Sequence, residues 1–230
     1  MDGANKKFIA EKEAWLNKHI IFYNVLNASA NPYNDPLAPT NPAGELPVYD
    51  FDLRPTGKVS DLSGKGVKAY ELKLLAEFLT ATKQRKTSSR TNTLRAYFLP
   101  WGSNRTYQGR LGNQADFFFT PTLNGCTFAS SGGGATPLVS HGNHANAATQ
   151  KIDQGLINND LAGIYGAAGP GMILHKAGYK IAPVGTEDYK VTIVGIRRNN
   201  AWDFYYQRYQ QDQNPAGGLV NMVMDRVVKL

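Results

Sequence analysis

The sequence predicts an α+β protein: a mostly antiparallel or mixed, β-sandwich-like core with flanking helices, two of them at the N-terminus. Three observations carry this expectation. Apolar residues recur at helical spacing in two early windows, 6–26 and 65–82. From residue 94 onward the period falls to two and the residues become aromatic or β-branched. Strand-like runs then follow one another in hairpin-like succession, which disfavours alternating βαβ units.

In the first window Phe8, Trp15 and Phe22 stand at seven-residue steps, with Ile9, Leu16, Ile20 and Tyr23 beside them. That is the broad apolar face of an amphipathic helix, and it includes His19. Residues 27–60 hold six of the twelve prolines and read as an extended arm that neither helix nor central strand can cross. Asp61 or Ser63 then caps a second helix over 65–82, where Val67, Tyr70, Leu74, Leu75 and Phe78 recur at three- and four-residue spacing. Strands are expected at 94–101, 107–110 and 116–120, with Ser103-Asn104-Arg105-Thr106 as a hairpin turn between the first two.

Further strands are expected at 126–129 and 136–141, joined by Ser-Ser-Gly-Gly-Gly. Asn143 is placed to cap a short helix through Ile152. A glycine-rich loop over 163–171 leads into strands at 172–175, 190–197, 202–209 and 220–230. Asn199-Asn200 fits a two-residue hairpin loop, because Asn tolerates positive φ.

The chain of 230 residues is read as one catalytic domain, 1–230, with no run of apolar residues long enough to span a membrane and no Sec-type leader pattern. One cysteine excludes an internal disulfide, so a functional thiol calls for a reducing setting. The net charge of +7 favours a partner with an acidic surface. The densest basic cluster, Lys83, Arg85, Lys86 and Arg90, carries no nucleic-acid signature and reads as a solvated loop. The 163–171 loop lacks the strand-then-helix setting of a dinucleotide site. His141 and His144, taken with Cys126 and Asp153, lack the spacing of a zinc site, and no metal or other cofactor is expected. His19 and His175 read as packed or surface residues.

The remaining chemistry lies at Cys126 and His141, fifteen positions apart. Gly125 permits a tight turn that presents the sulfur, and the strand 136–141 ends on the imidazole. A thiol attacks as thiolate, an imidazole takes its proton, and a third group on the other ring nitrogen fixes the tautomer. His144 is a rival for the base, though it falls in the expected helix start. A free cysteine is also among the most buried residue types, so a packed, inert Cys126 is the competing reading.

Leu123-Asn124-Gly125-Cys126 resembles the Leu-x-Gly-Cys motif of the cytotoxic necrotizing factor and Burkholderia lethal factor family, bacterial toxins that deamidate glutamine in host proteins. The resemblance covers about residues 116–145, including the downstream His141. It implies a catalytic Cys126 and His141, with a backbone carbonyl as the orienting group, for which Thr120 is the nearest candidate. It also implies a host-protein substrate, delivery of a bacterial effector into a reducing target-cell cytosol, and hydrolysis of a carboxamide to carboxylate and ammonia without a cofactor. A Cys-His protease or transglutaminase would use the same thioester chemistry, and a non-catalytic binding module is the alternative from another class. Trp101, Tyr107 and Tyr165 are candidates for the substrate surface or for packing.

Overall fold

The computed structural model describes residues 3–23, 44–56, 59–61, 67–75, 77–79, 84–86, 93–149, 151–180, 189–212 and 220–230. Most of the proline-rich arm, Ser63 of the expected second-helix cap, Lys83 and Arg90 lie outside them.

Helix α1 spans Gly3–Leu16 and buries Phe8, Trp15 and Leu16. It ends sooner than the heptad spacing predicts. Ile20, Ile21 and Phe22 form strand β1 (His19–Phe22), because branched and aromatic residues fit a pleated surface better than a helix turn. His19 therefore sits on a strand. Strand β2 (Val48–Pro55) occupies part of the expected arm, between Pro47 and the terminal Pro55, and pairs on both edges. Its Tyr49, Phe51 and Leu53 point into the core and alternate with Asp50, Asp52 and Arg54. The prolines bound this strand without interrupting it.

The expected second helix is absent as such. Residues 68–74 form strand β4 after a short β3 (Val59–Asp61), and Glu77–Leu79 and Gln84–Lys86 form a separate hairpin, β5 and β6. Tyr70, Leu72 and Leu74 alternate with Glu71 and Lys73 and pack on one core. Val67 and Leu75, at the ends of this run, imitate a helical stripe.

Strands β7 (Leu94–Phe98), β8 (Arg105–Arg110) and β9 (Phe117–Phe119) follow, but β7 and β8 are not a hairpin. The turn at Asn104, whose φ is 55°, carries the chain from one sheet to another. Next come β10 (Thr127–Ser130), β11 (Leu138–Asn143), α2 (Gln154–Tyr165), a 3-10 turn at Gly166–Ala168, β12 (Met172–Leu174) and α3 (Lys176–Tyr179). Asn143 ends a strand and caps no helix; Asp153 is the cap, accepting from the N–H groups of Gly155 and Leu156. The chain closes with β13 (Tyr189–Arg198), β14 (Ala201–Asp212) and β15 (Val220–Lys229). Asn199 and Asn200, at φ 48° and 62°, turn β13 directly into β14.

Nine strands form one mixed sheet in the order β1-β4-β2-β7-β9-β13-β14-β15-β3, nearly closed into a barrel, so the protein is mostly β within an α+β class. A second sheet has the order β12-β10-β11-β8. Side-chain parity sorts the layers. Ala96, Phe98, Phe117, Phe119, Val194 and Ile196 face α1, whereas Tyr97, Phe118, Ile193 and Phe204 face the small sheet. Phe128 of β10 meets Phe118 and Phe204 with ring centroids 6.0 and 5.5 Å away. The outer face of the small sheet, at Ala129, is covered by Ile157 and Leu161 of α2. Among the described residues no helix is long and apolar enough to cross a membrane.

Gln207 of β14 ties the barrel seam to α1 and β1. Its buried amide accepts from the Ile21 N–H at 2.9 Å and donates to the carbonyls of Leu16 and His19 at 2.7 and 2.6 Å. Gln207→Leu strands these backbone groups without partners, and the expected loss is about 3 to 6 kcal/mol. The urea midpoint measures it.

Candidate functional site

The Leu123-Asn124-Gly125-Cys126 turn is held at both ends. Leu123 exchanges backbone bonds with Val191 at 2.7 and 3.1 Å, and after Cys126 the chain enters β10. Gly125 adopts φ +99°, and a Cβ there would come 2.9 Å from Ile152 Cγ1, so the position needs glycine on both counts. Cys126 is 5% exposed and belongs to the apolar cluster between the two sheets that also holds Phe118, Phe128 and Tyr179.

Strands β10 and β11 are antiparallel, with Phe128 opposite His141 and Ala129 opposite Ser140. Residues two apart share a face, so Cys126, Phe128 and His141 lie on the inner face of the small sheet. Cys126 directly precedes β10 with the parity of Phe128, and its sulfur makes no hydrogen bond to His141 Nε2 in this structure. His144 is one parity step away, on the outer side. Its Nε2 lies 2.7 Å from Asp160 Oδ2 on α2, which leaves His141 as the histidine on the cysteine's face.

His141 is fully buried, and its Nδ1 lies 2.7 Å from Thr120 Oγ1. The Thr120 hydroxyl donates its only proton to the Leu99 carbonyl at 3.0 Å. It must therefore accept from His141 Nδ1–H, which leaves Nε2 as a bare lone pair. Nε2 is buried and has no hydrogen-bond partner among the described residues. Thr120 thus meets the imidazole through its side chain, where the sequence reading had expected a backbone carbonyl.

Burial drives the His141 pKa down from 6.5 to about 3. Burial also pushes the Cys126 thiol up; the N–H of Asn124, the Trp101 side chain, the N–H of Cys126 itself and the Lys180 charge pull the other way. The resting pair is consequently a neutral thiol and a neutral imidazole, unlike the thiolate–imidazolium pair expected of a strongly activated cysteine. The donors around the sulfur suit charge that develops during attack.

The His141 shift sets a pH dependence. Between pH 6.5 and about 3 the unfolded chain binds a proton at this residue that the folded chain does not. Its contribution to stability is complete above pH 6.5 and is lost as pH falls towards 3, at about 1.4 kcal/mol per pH unit. Subtracting the pH–stability curve of His141→Gln from that of wild type should isolate this slope.

Trp101 is half-buried beside the sulfur, and Tyr107 stands opposite His141 on β8. Tyr165 lies on the outer face instead, with its hydroxyl 3.0 Å from Ser140 Oγ. Asp153 is engaged as the α2 cap, and among the described residues no group of three or more His, Cys, Asp or Glu side chains is placed to hold a metal ion. His175 lies just before α3 and not within a strand, with its imidazole held below the usual range by burial.

Sequence reading missed two groups. The Leu99 carbonyl fixes the Thr120 hydroxyl, and Tyr179 Oη bonds the Gly125-Cys126 turn itself. Neither carries a local motif, since each reaches the site only through tertiary packing. No protein-family model matches this chain, and no curated protein matches it.

Proposed function

We propose that this protein is a toxin-type glutamine deamidase acting on a protein substrate, with Cys126 as nucleophile, His141 as proton carrier and Thr120 as the residue that orients the imidazole. The observation that carries the reading is the setting of His141: Nδ1 lies 2.7 Å from Thr120 Oγ1, whose proton goes to the Leu99 carbonyl, and Nε2 is left unpartnered on the sheet face that also holds Cys126. His19 and His175 also carry an Nδ1 without a partner among the described residues, so what sets His141 apart is its complete burial on the face that Cys126 shares. Support also comes from the Leu-x-Gly-Cys turn and its resemblance to the deamidase toxins.

In the proposed reaction Sγ of Cys126 attacks the side-chain carbonyl carbon of a glutamine as the thiol proton passes to His141 Nε2. The N–H of Cys126 and the Trp101 side chain stabilise the oxyanion. Collapse breaks the C–N bond, His141 gives its proton to the leaving ammonia, and a thioester remains. Water then adds, with His141 taking its proton, and as the thioester opens to glutamate that proton returns from His141 Nε2 to the departing sulfur, restoring the free thiol.

The burial of Cys126 favours a second reading, a binding module in which the thiol is only packed. Alkylation of the native protein separates the two. A catalytic thiol reacts with iodoacetamide while folded, and slows when His141 is replaced; a packed one reacts only on unfolding. Expression in eukaryotic cells tests the toxin reading: wild type should be toxic and Cys126→Ser harmless, and equal toxicity would sink it.

A further inference from the structure

Tyr179 is fully buried at the end of α3, and its hydroxyl spans the nucleophile turn. It accepts the Gly125 N–H at 2.7 Å and donates to the Cys126 carbonyl at 2.8 Å. One side-chain oxygen therefore satisfies a donor and an acceptor on consecutive residues of a turn whose first member sits at φ +99°. Tyr179 is itself tied down. Arg208 of β14 donates to its carbonyl at 3.3 Å and is held in turn by Asp225 at 2.6 Å.

We infer that Tyr179 is a positioning residue that clamps the Gly125-Cys126 turn and so aims the sulfur and the Cys126 N–H at a reacting carbonyl. This inference rests on the reading of Cys126 as nucleophile. The division of donors follows from the clamp. Tyr179 takes up the Gly125 N–H and the Cys126 carbonyl, so the Cys126 N–H stays outside the clamp. Without the hydroxyl, the Gly125 N–H and the Cys126 carbonyl lose a shared partner, and the turn is free to rotate the Cys126 N–H away from the sulfur. The consequence is chemical as well as structural: a thiolate that loses donors titrates higher.

The test compares wild type, Tyr179→Phe and, as a control for stability alone, Phe51→Leu in the core on the opposite side of the large sheet. Iodoacetamide alkylation of the folded proteins is followed across pH. Tyr179→Phe should move the midpoint of the Cys126 profile up by about one pH unit, while Phe51→Leu leaves it in place. Coincident profiles, or equal shifts in both variants, overturn the clamp. Amide hydrogen exchange at Gly125 reads the same contact independently of thiol chemistry. Its N–H should exchange slowly in wild type and at least about tenfold faster in Tyr179→Phe. Fast exchange in wild type overturns the clamp even if the variant does not fold. If the clamp signatures appear but wild type releases no ammonia from benzyloxycarbonyl-glutaminyl-glycine or from lysate proteins, the deamidase reading fails and the positioning role stands.

Discussion

Cys126→Ser should reduce glutamine deamidation by at least about 10³-fold while leaving the fold intact. The substitution keeps nearly the same volume but buries a hydroxyl in an apolar cluster, so a loss of about 1 to 3 kcal/mol is expected and a urea midpoint checks that the variant is folded. The chemistry is lost because a serine hydroxyl has a far higher pKa, and the site has no strong base beyond an imidazole whose basicity burial has already lowered. A thioester should therefore be trapped from wild type by acid quench, as a mass adduct on Cys126, and should be absent from the variant. Retained activity in Cys126→Ser would remove the cysteine from the mechanism.

The second large effect is expected at His141. His141→Gln keeps a polar group near Thr120 but supplies no base, and deamidation should fall by about 10²- to 10⁴-fold. Thr120→Val isolates the tautomer argument. The imidazole remains, but its Nδ1–H loses the acceptor at 2.7 Å, so either nitrogen can hold the proton and the ring can turn. A loss of about tenfold or more in kcat, with KM little changed, is expected. If Thr120→Val is as active as wild type while His141→Gln is inactive, the orienting role of the hydroxyl is wrong although the base assignment survives. The proposed mechanism has Cys126 and His141 act in the same step, so the double variant should be scarcely slower than the worse single variant.

The strands that build this site were legible because their patterns are local. Residues 126–129 and 136–141 were readable as strands around a glycine-rich linker, and the registered pair β10 and β11 lies within a residue or two of those limits. Asn199-Asn200 was readable as a hairpin because a two-residue loop demands positive φ, and both residues adopt it. Parity within β11 also separates His141 from His144 once that strand is extended to Asn143, where the sequence suggested a helix cap.

The N-terminal third was misread for an identifiable reason. Tyr70, Leu72 and Leu74 alternate cleanly, yet neighbouring Val67 and Leu75 supply i+3 and i+4 partners that mimic a helix stripe. In β2 the weight given to prolines hid the alternation of Tyr49, Phe51 and Leu53 between them. Local propensity yielded to sheet pairing in both segments, since β2 and β4 are interior strands bonded on each edge. The Thr120 atom at His141 and the Tyr179 clamp were out of reach for a different cause: they depend on side-chain direction and on contacts across 21 and 53 residues.

The most direct measurement is a quantitative peptide map of a eukaryotic cell lysate incubated with folded wild type or with Cys126→Ser. The deamidase reading predicts glutamine-containing peptides that gain about 1 Da, by conversion to glutamate, only with wild type and not with the His141→Gln protein. Cleaved peptides or amine adducts that depend on Cys126 would instead assign the thioester to proteolysis or transamidation. A map with no Cys126-dependent conversion of glutamine to glutamate would contradict the proposed function.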